Sequence, residues 1–92
     1  MTPPPFRPAD WAPLERVLST AYGPAAVDAV TAFWFVGFAD GPADVGQLRL
    51  YEHSATRRCL ALDAEGRAYR YHDTHGTYSP VTLQDALIAT LR

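Results

Sequence analysis

The sequence predicts an α+β fold. An antiparallel sheet of three or four strands forms a single domain, covered on one face by helices from both ends of the chain. Three stretches carry that prediction. Residues 47–72, QLRLYEHSATRRCLALDAEGRAYRYH, alternate with period two, the mark of half-buried strands. Residues 9–22 place Trp11, Leu14, Val17, Leu18 and Ala21 at helical spacing, which makes one apolar stripe. Residues 82–92 repeat that spacing with Leu83, Leu87, Ile88 and Leu91.

Taken in order, Met1 to Pro8 holds four prolines and is expected to be a disordered tail outside the domain, which then spans residues 9–92. Pro5-Phe6-Arg7-Pro8 has the spacing of a polyproline-groove ligand, a pattern too common at Pro-rich termini to carry a function. Ala9 to Tyr22 reads as a helix with Asp10 as N-cap and Pro13 in the tolerant first turn. Gly23-Pro24 ends it. Pro24 to Thr31 is Ala-rich and reads as a short second helix. The run Phe33-Trp34-Phe35-Val36-Gly37-Phe38 could extend that helix, since Val27, Val30 and Trp34 share a face, but its aromatic and β-branched content favours a strand over 32–39. It pairs with 47–52 through the Gly-, Pro- and Asp-containing loop 40–46.

Within the meander, Leu48 and Leu50 oppose Arg49 and Tyr51, Leu60 and Leu62 oppose Cys59 and Ala61, and Tyr69 and Tyr71 oppose Ala68, Arg70 and His72. The four leucines and two tyrosines are expected to form a common core face. Ser54-Ala55-Thr56 is a short polar link, and Asp63-Ala64-Glu65-Gly66 suits a type I turn with Gly66 at positive φ. Asp73 to Pro80 reads as a loop. Thr82-Leu83-Gln84-Asp85 has the shape of a capping box that starts the last helix.

Composition bounds the function. Ninety-two residues with 48% apolar content suffice for one core without disulfides. Cys59 is the single cysteine, which fits a reducing compartment; within a strand, it is expected to be buried and structural. MTPPPFRP lacks the layout of a signal peptide. The longest apolar region, 25–39, contains Asp28 and is too short to span a bilayer. The expected location is therefore cytoplasmic, with no membrane association. The chain has no Lys, no Asn, one Ile and fifteen Ala. That bias fits a GC-rich, bacterial genome, so an all-Arg basic set need not reflect selection for the guanidinium. Net charge is −2 overall, so no global basic field gathers nucleic acid. It is distributed unevenly: residues 1–46 carry −3, residues 47–75 carry +1 and all three His.

Four groupings could carry chemistry. His72-Asp73-Thr74-His75 puts two imidazoles beside a carboxylate, but zinc wants three or four ligands and no further pair follows. No metal or cofactor is expected. Glu52, His53, Arg57, Arg58, Arg70 and His72 are the residue types of an acid–base phosphodiesterase, at no recognisable spacing. Helix, antiparallel strands, helix is also the element order of the double-stranded-RNA-binding fold, whose final helix is Lys-rich; here 82–92 carries Arg92 as its one cation. Lastly, Arg49, Tyr51, Arg57, Arg58, Arg70 and His72 interleave cations with an aromatic ring, as surfaces that bind single strands do.

The leading expectation is a small non-enzymatic protein-interaction or regulatory module, such as an antitoxin-like or immunity-like partner, binding through those last six residues. It rests on an aromatic- and Arg-containing surface without an assembled catalytic site. The alternatives are a nucleic-acid binder using the same Arg/Tyr face, and a small hydrolase or nuclease using Glu52, His53 and His72. A second copy of the chain is a further candidate partner if Phe33–Phe38 forms an exposed sheet edge.

Overall fold

Five antiparallel strands, not three or four, build the sheet, in the order β1-β2-β3-β4-β5. The computed structural model describes residues 8–42 and 44–92; the tail expected over 1–8 lies outside them except for Pro8. Helix α1 runs Pro8–Tyr22, followed by a 3-10 turn Gly23–Ala25 and the short α2, Ala26–Val30. The strands are β1 Phe33–Asp40, β2 Gln47–His53, β3 Cys59–Leu62, β4 Ala68–His72 and β5 Thr77–Val81; α3, Leu83–Leu91, closes the chain. None of the helices among the described residues is long and apolar enough to cross a membrane.

The added strand, β5, falls where the sequence reads as a loop. Pro80 and Ser79 hide it. Pro80 is tolerated because β5 is an edge strand, paired with β4 alone. β1 forms the other edge. Because α1 starts at Pro8, Asp10 sits inside the first turn rather than capping it. Thr82 does cap α3, its hydroxyl accepting the Asp85 amide at 3.1 Å.

The expected leucine face splits in two. Residues directly opposite each other on paired strands share a face. Tyr51 pairs with Leu60 and Arg49 with Leu62, while Leu50 pairs with Ala61, and Ala61 in turn pairs with Tyr69. Leu60 and Leu62 therefore lie with Tyr51 and Ala68 under the helices. Leu48 and Leu50 lie with Ala61 and Tyr69 on the opposite face. Two buried clusters result. The larger unites Leu14, Val17 and Leu18 of α1 and Ala86 and Leu87 of α3 with Phe33, Tyr51, Leu60, Leu62 and Ala68. The smaller contains Leu48, Ala61 and Tyr69, with Val45, Leu50 and Tyr78 against it. At about 1.5–3 kcal/mol for each large apolar side chain buried, the helix side supplies most of the stabilisation. On α3 the buried face is Ala86, Leu87 and Thr90, and the expected stripe residues Ile88 and Leu91 stay exposed.

Two irregularities shape the sheet. In β1, Phe35 pairs with Tyr51 and Gly37 with Leu50, which leaves Val36 as the extra residue of a bulge. Gly37 takes φ 146 there, a region that glycine alone enters freely. The bulge keeps Phe38 on the same face as Phe35, and the rings meet edge to face at 5.3 Å. The second irregularity is a fork. β3 and β4 pair only through Ala61–Tyr69 and Leu62–Ala68. Beyond that point β3 continues along β2 and β4 along β5, with nothing paired between them. α3 packs against both branches.

The β2–β3 connection holds Arg57 at φ 62, a left-handed conformation that costs a branched or long side chain about 1 kcal/mol. Arg57→Gly would relieve that cost and remove an exposed ion pair worth a similar amount at most. Its expected effect on thermal unfolding is within about 0.5 kcal/mol of neutral, whereas Arg57→Val should destabilise clearly.

Candidate functional site

The six residues predicted to bind do not share a surface. Tyr51 is fully buried, its ring against Trp11 and Phe35 and its hydroxyl donating to the Asp10 carbonyl. Burial pushes the phenol well above its usual range. It cannot stack on a base. Arg49, on the same helix-covered side, is half-buried with its guanidinium carbon 5.8 Å above the Phe38 ring, and its Nε is buried with no hydrogen-bond partner among the described residues. His72 faces that side too, its Nε2 hydrogen-bonded with the Ser79 hydroxyl. Arg57 instead pairs with Glu52 and lies 5.3 Å from the Trp34 ring. Alternation within β2 and β3 groups these residues, but Tyr51 pairs with Leu60 and so faces the helices.

The residues expected for acid–base work are likewise separated. Glu52 and His53 point to opposite faces, as neighbours in a strand must. The His53 ring packs on Phe33, and its Nδ1 accepts the Ala55 and Thr56 amides at 3.3 Å each. His72 is on β4, beyond the fork. Among the described residues, no three His, Cys, Asp or Glu side chains gather closely enough to hold a metal ion.

What the fold does bring together is a cleft at the fork. It encloses about 400 Å³. Cys59, Leu60 and Ala61 of β3 line one side and Tyr69, Arg70 and Tyr71 of β4 the other. Tyr78 and Val81 of β5, Leu50, Arg58, and Asp85, Ala86, Ala89 and Thr90 of α3 complete it. Only Arg58 and Arg70 of this set were predicted as binding residues; the cleft depends on strands parting and a helix bridging them, which no local sequence pattern encodes.

No protein-family model, curated protein or solved structure matches the chain.

The cleft's chemistry must therefore be read from its own groups. Cys59 sits exposed at the rim, not buried as expected. Partial desolvation, then the nearby Glu52 carboxylate, push its thiol up, which leaves it a poor nucleophile at neutral pH. Burial, followed by Cys59 and Tyr71, pushes the Tyr78 phenol up, so it stays a neutral hydrogen-bonding group. The Tyr71 and Tyr78 rings meet at 5.1 Å. Every ion pair among the described residues uses Arg57 or Arg67; the guanidiniums of Arg58 and Arg70 have none. A second groove of about 410 Å³ runs between the C-terminal turn of α1 and α3, lined chiefly by Tyr22, Leu87, Ile88 and Leu91. It gathers no comparable set of polar groups.

Proposed function

We propose that the domain acts by recognising another protein through the helix-free face of its sheet, without chemistry of its own. The observation that carries this is the row of side chains on that face. Trp34, Glu52 and Cys59 follow one another across β1, β2 and β3, and Tyr71 and Tyr78 continue the row beyond the fork. Trp34 and Tyr71 are each 51% exposed, large aromatic surfaces that no helix covers. The one carboxylate in the row, Glu52, is engaged by Arg57. Interface centres are rich in aromatic side chains and depleted of charge, and this face has that character.

The rim selects the kind of partner. Arg58, next to Cys59 at the edge of the row, has no ion-pair partner among the described residues, whereas Arg70 leaves β4 on the same side as Ala68 and His72, the helix-covered one. The Arg58 guanidinium complements an apolar patch bordered by a carboxylate. Two copies would each bring the same positive rim to the contact, so the proposed partner is a different protein that supplies the carboxylates.

Tagged wild-type protein, Trp34→Ala and Tyr71→Ala would be used to capture partners from lysate of the source cell, with and without nuclease. Binding to the purified partner would then be titrated. Both side chains are half exposed, so the variants should fold. Each should weaken binding by at least about tenfold, as central aromatic residues do. Val27→Ala, at an exposed site on α2, should not. A partner indifferent to both aromatic substitutions would overturn the proposal, as would nuclease-sensitive nucleic acid in place of protein, or a complex containing only this chain.

A further inference from the structure

We infer that the cleft between β3 and β4 binds a small aromatic anion, with the ring held among tyrosines and the carboxylate or phosphate held by Arg58 and Arg70. This goes beyond recognition of a protein partner and does not depend on it. A protein needs the broad row that starts at Trp34; a small molecule needs only the fork.

Four observations carry the inference. The cleft's volume of about 400 Å³ falls in the ~300–1,000 Å³ range of small-ligand sites. Its walls are two regular strands whose mutual register stops at Ala61–Tyr69, so the edges of Cys59–Leu60 and Arg70–Tyr71 have no strand opposite them. Backbone amides and carbonyls at an unpaired edge are ready hydrogen-bonding groups. Tyr69, Tyr71 and Tyr78 flank the gap between the strands from the helix-free side, and Arg70, Ala86 and Ala89 from the helix side, so a planar ring entering the gap meets the tyrosines with its anionic end toward Arg70. Finally, the charged lining groups are Arg58, Arg70 and Asp85, a net positive set. Two guanidiniums without ion-pair partners among the described residues suit an anion, because the planar fork matches carboxylate and phosphate oxygens. Asp85 disfavours a second negative charge at its end of the cleft and can accept a proton donor such as a ring hydroxyl.

The test uses four probes on the full chain: phenyl phosphate, phenol, benzylamine and inorganic phosphate. Amide shifts are followed by NMR, and cleft occupancy is checked through the rate of Cys59 alkylation. Phenyl phosphate should shift the amides of Cys59, Ala61, Arg70 and Ala89 saturably and slow alkylation. Phenol and inorganic phosphate should each bind at least about tenfold more weakly, since each lacks one half of the recognised chemistry. Benzylamine should not bind there. Arg70→Gln, at an exposed position, should weaken phenyl phosphate about tenfold and leave phenol unchanged. Trp34→Ala should leave phenyl phosphate binding intact, so loss of partner recognition and loss of the ligand site can be told apart. The inference is overturned if the cleft amides do not respond saturably, if the four probes behave alike, if inorganic phosphate matches phenyl phosphate, or if Arg70→Gln has no effect.

Discussion

Tyr51→Ala is expected to lower folding stability by about 3–5 kcal/mol, the usual cost of deleting a buried aromatic ring. Against a total of about 5–15 kcal/mol for a domain, that leaves a substantial unfolded population. The ring has no solvent exposure and lies 5.7 Å from Trp11 and 5.8 Å from Phe35, centroid to centroid. Its removal opens a cavity between α1 and the sheet. Tyr51→Phe keeps the ring but removes the hydroxyl's bond to the Asp10 carbonyl, and should cost about 0.5–1.5 kcal/mol. The phenol also sets an alkaline limit. Its folded pKa lies above the ordinary phenol value of about 10, so between the unfolded and folded values the native state holds the extra proton. Stability is then fully present below about pH 10 and falls as pH rises beyond it. Burial first raises Tyr69 and Tyr78 in the same direction. Urea midpoints followed by tryptophan fluorescence at pH 8, 10 and 11 would show the decline. Tyr51→Phe should make it shallower; an unchanged slope would mean that Tyr51 does not contribute to it.

Asp63→Ala is expected to cost about 2–4 kcal/mol, through buried donors left without acceptors. Asp63 is 4% exposed at the start of the β3–β4 turn. Its Oδ1 accepts the Glu65 and Arg67 amides, both at 2.9 Å, and its Oδ2 accepts the Tyr69 hydroxyl at 3.1 Å. One carboxylate thus shapes the turn and ties it to the helix-free cluster. It also meets Arg67 Nε at 3.2 Å, but the Arg67 side chain is mostly solvent-exposed, and exposed pairs contribute about 0–1 kcal/mol. Arg67→Ala should therefore be mild, and Asp63→Asn, which keeps one acceptor, intermediate. If Arg67→Ala destabilises as much as Asp63→Ala in chemical denaturation, the ion pair rather than the turn network holds this end of the sheet. Because the β3–β4 pairing that closes the fork lies directly beside this turn, Asp63→Ala should also loosen the cleft, seen as faster amide exchange at Ala61 and Tyr69.

Local features were legible in the chain because their causes are local. Gly66, at φ 86 with its amide bonded to the Asp63 carbonyl, follows from turn chemistry confined to four residues. The Thr82 cap follows from one hydroxyl and one amide three residues on. Strand β1 was readable from its aromatic and β-branched run, though its bulge was not. The role of Asp63 was only half visible: its turn was, but the Tyr69 hydroxyl reaches it from the next strand.

The α+β class, the antiparallel meander over 47–72 and the alternation within its strands follow from the residues alone. Period-two alternation says which side chains of one strand point together, since that is a property of the extended backbone. How those faces match between strands is settled by tertiary pairing. The β2–β3 connection sets that match, pairing Tyr51 with Leu60, and one residue of register exchanges every side chain between core and surface. Hence Tyr51 became a core residue, Cys59 a rim residue and Leu48 part of a second cluster. The cleft arose at the same level: β3 and β4 part after two residue pairs while α3 spans both branches, an arrangement that exists only once distant segments are packed together.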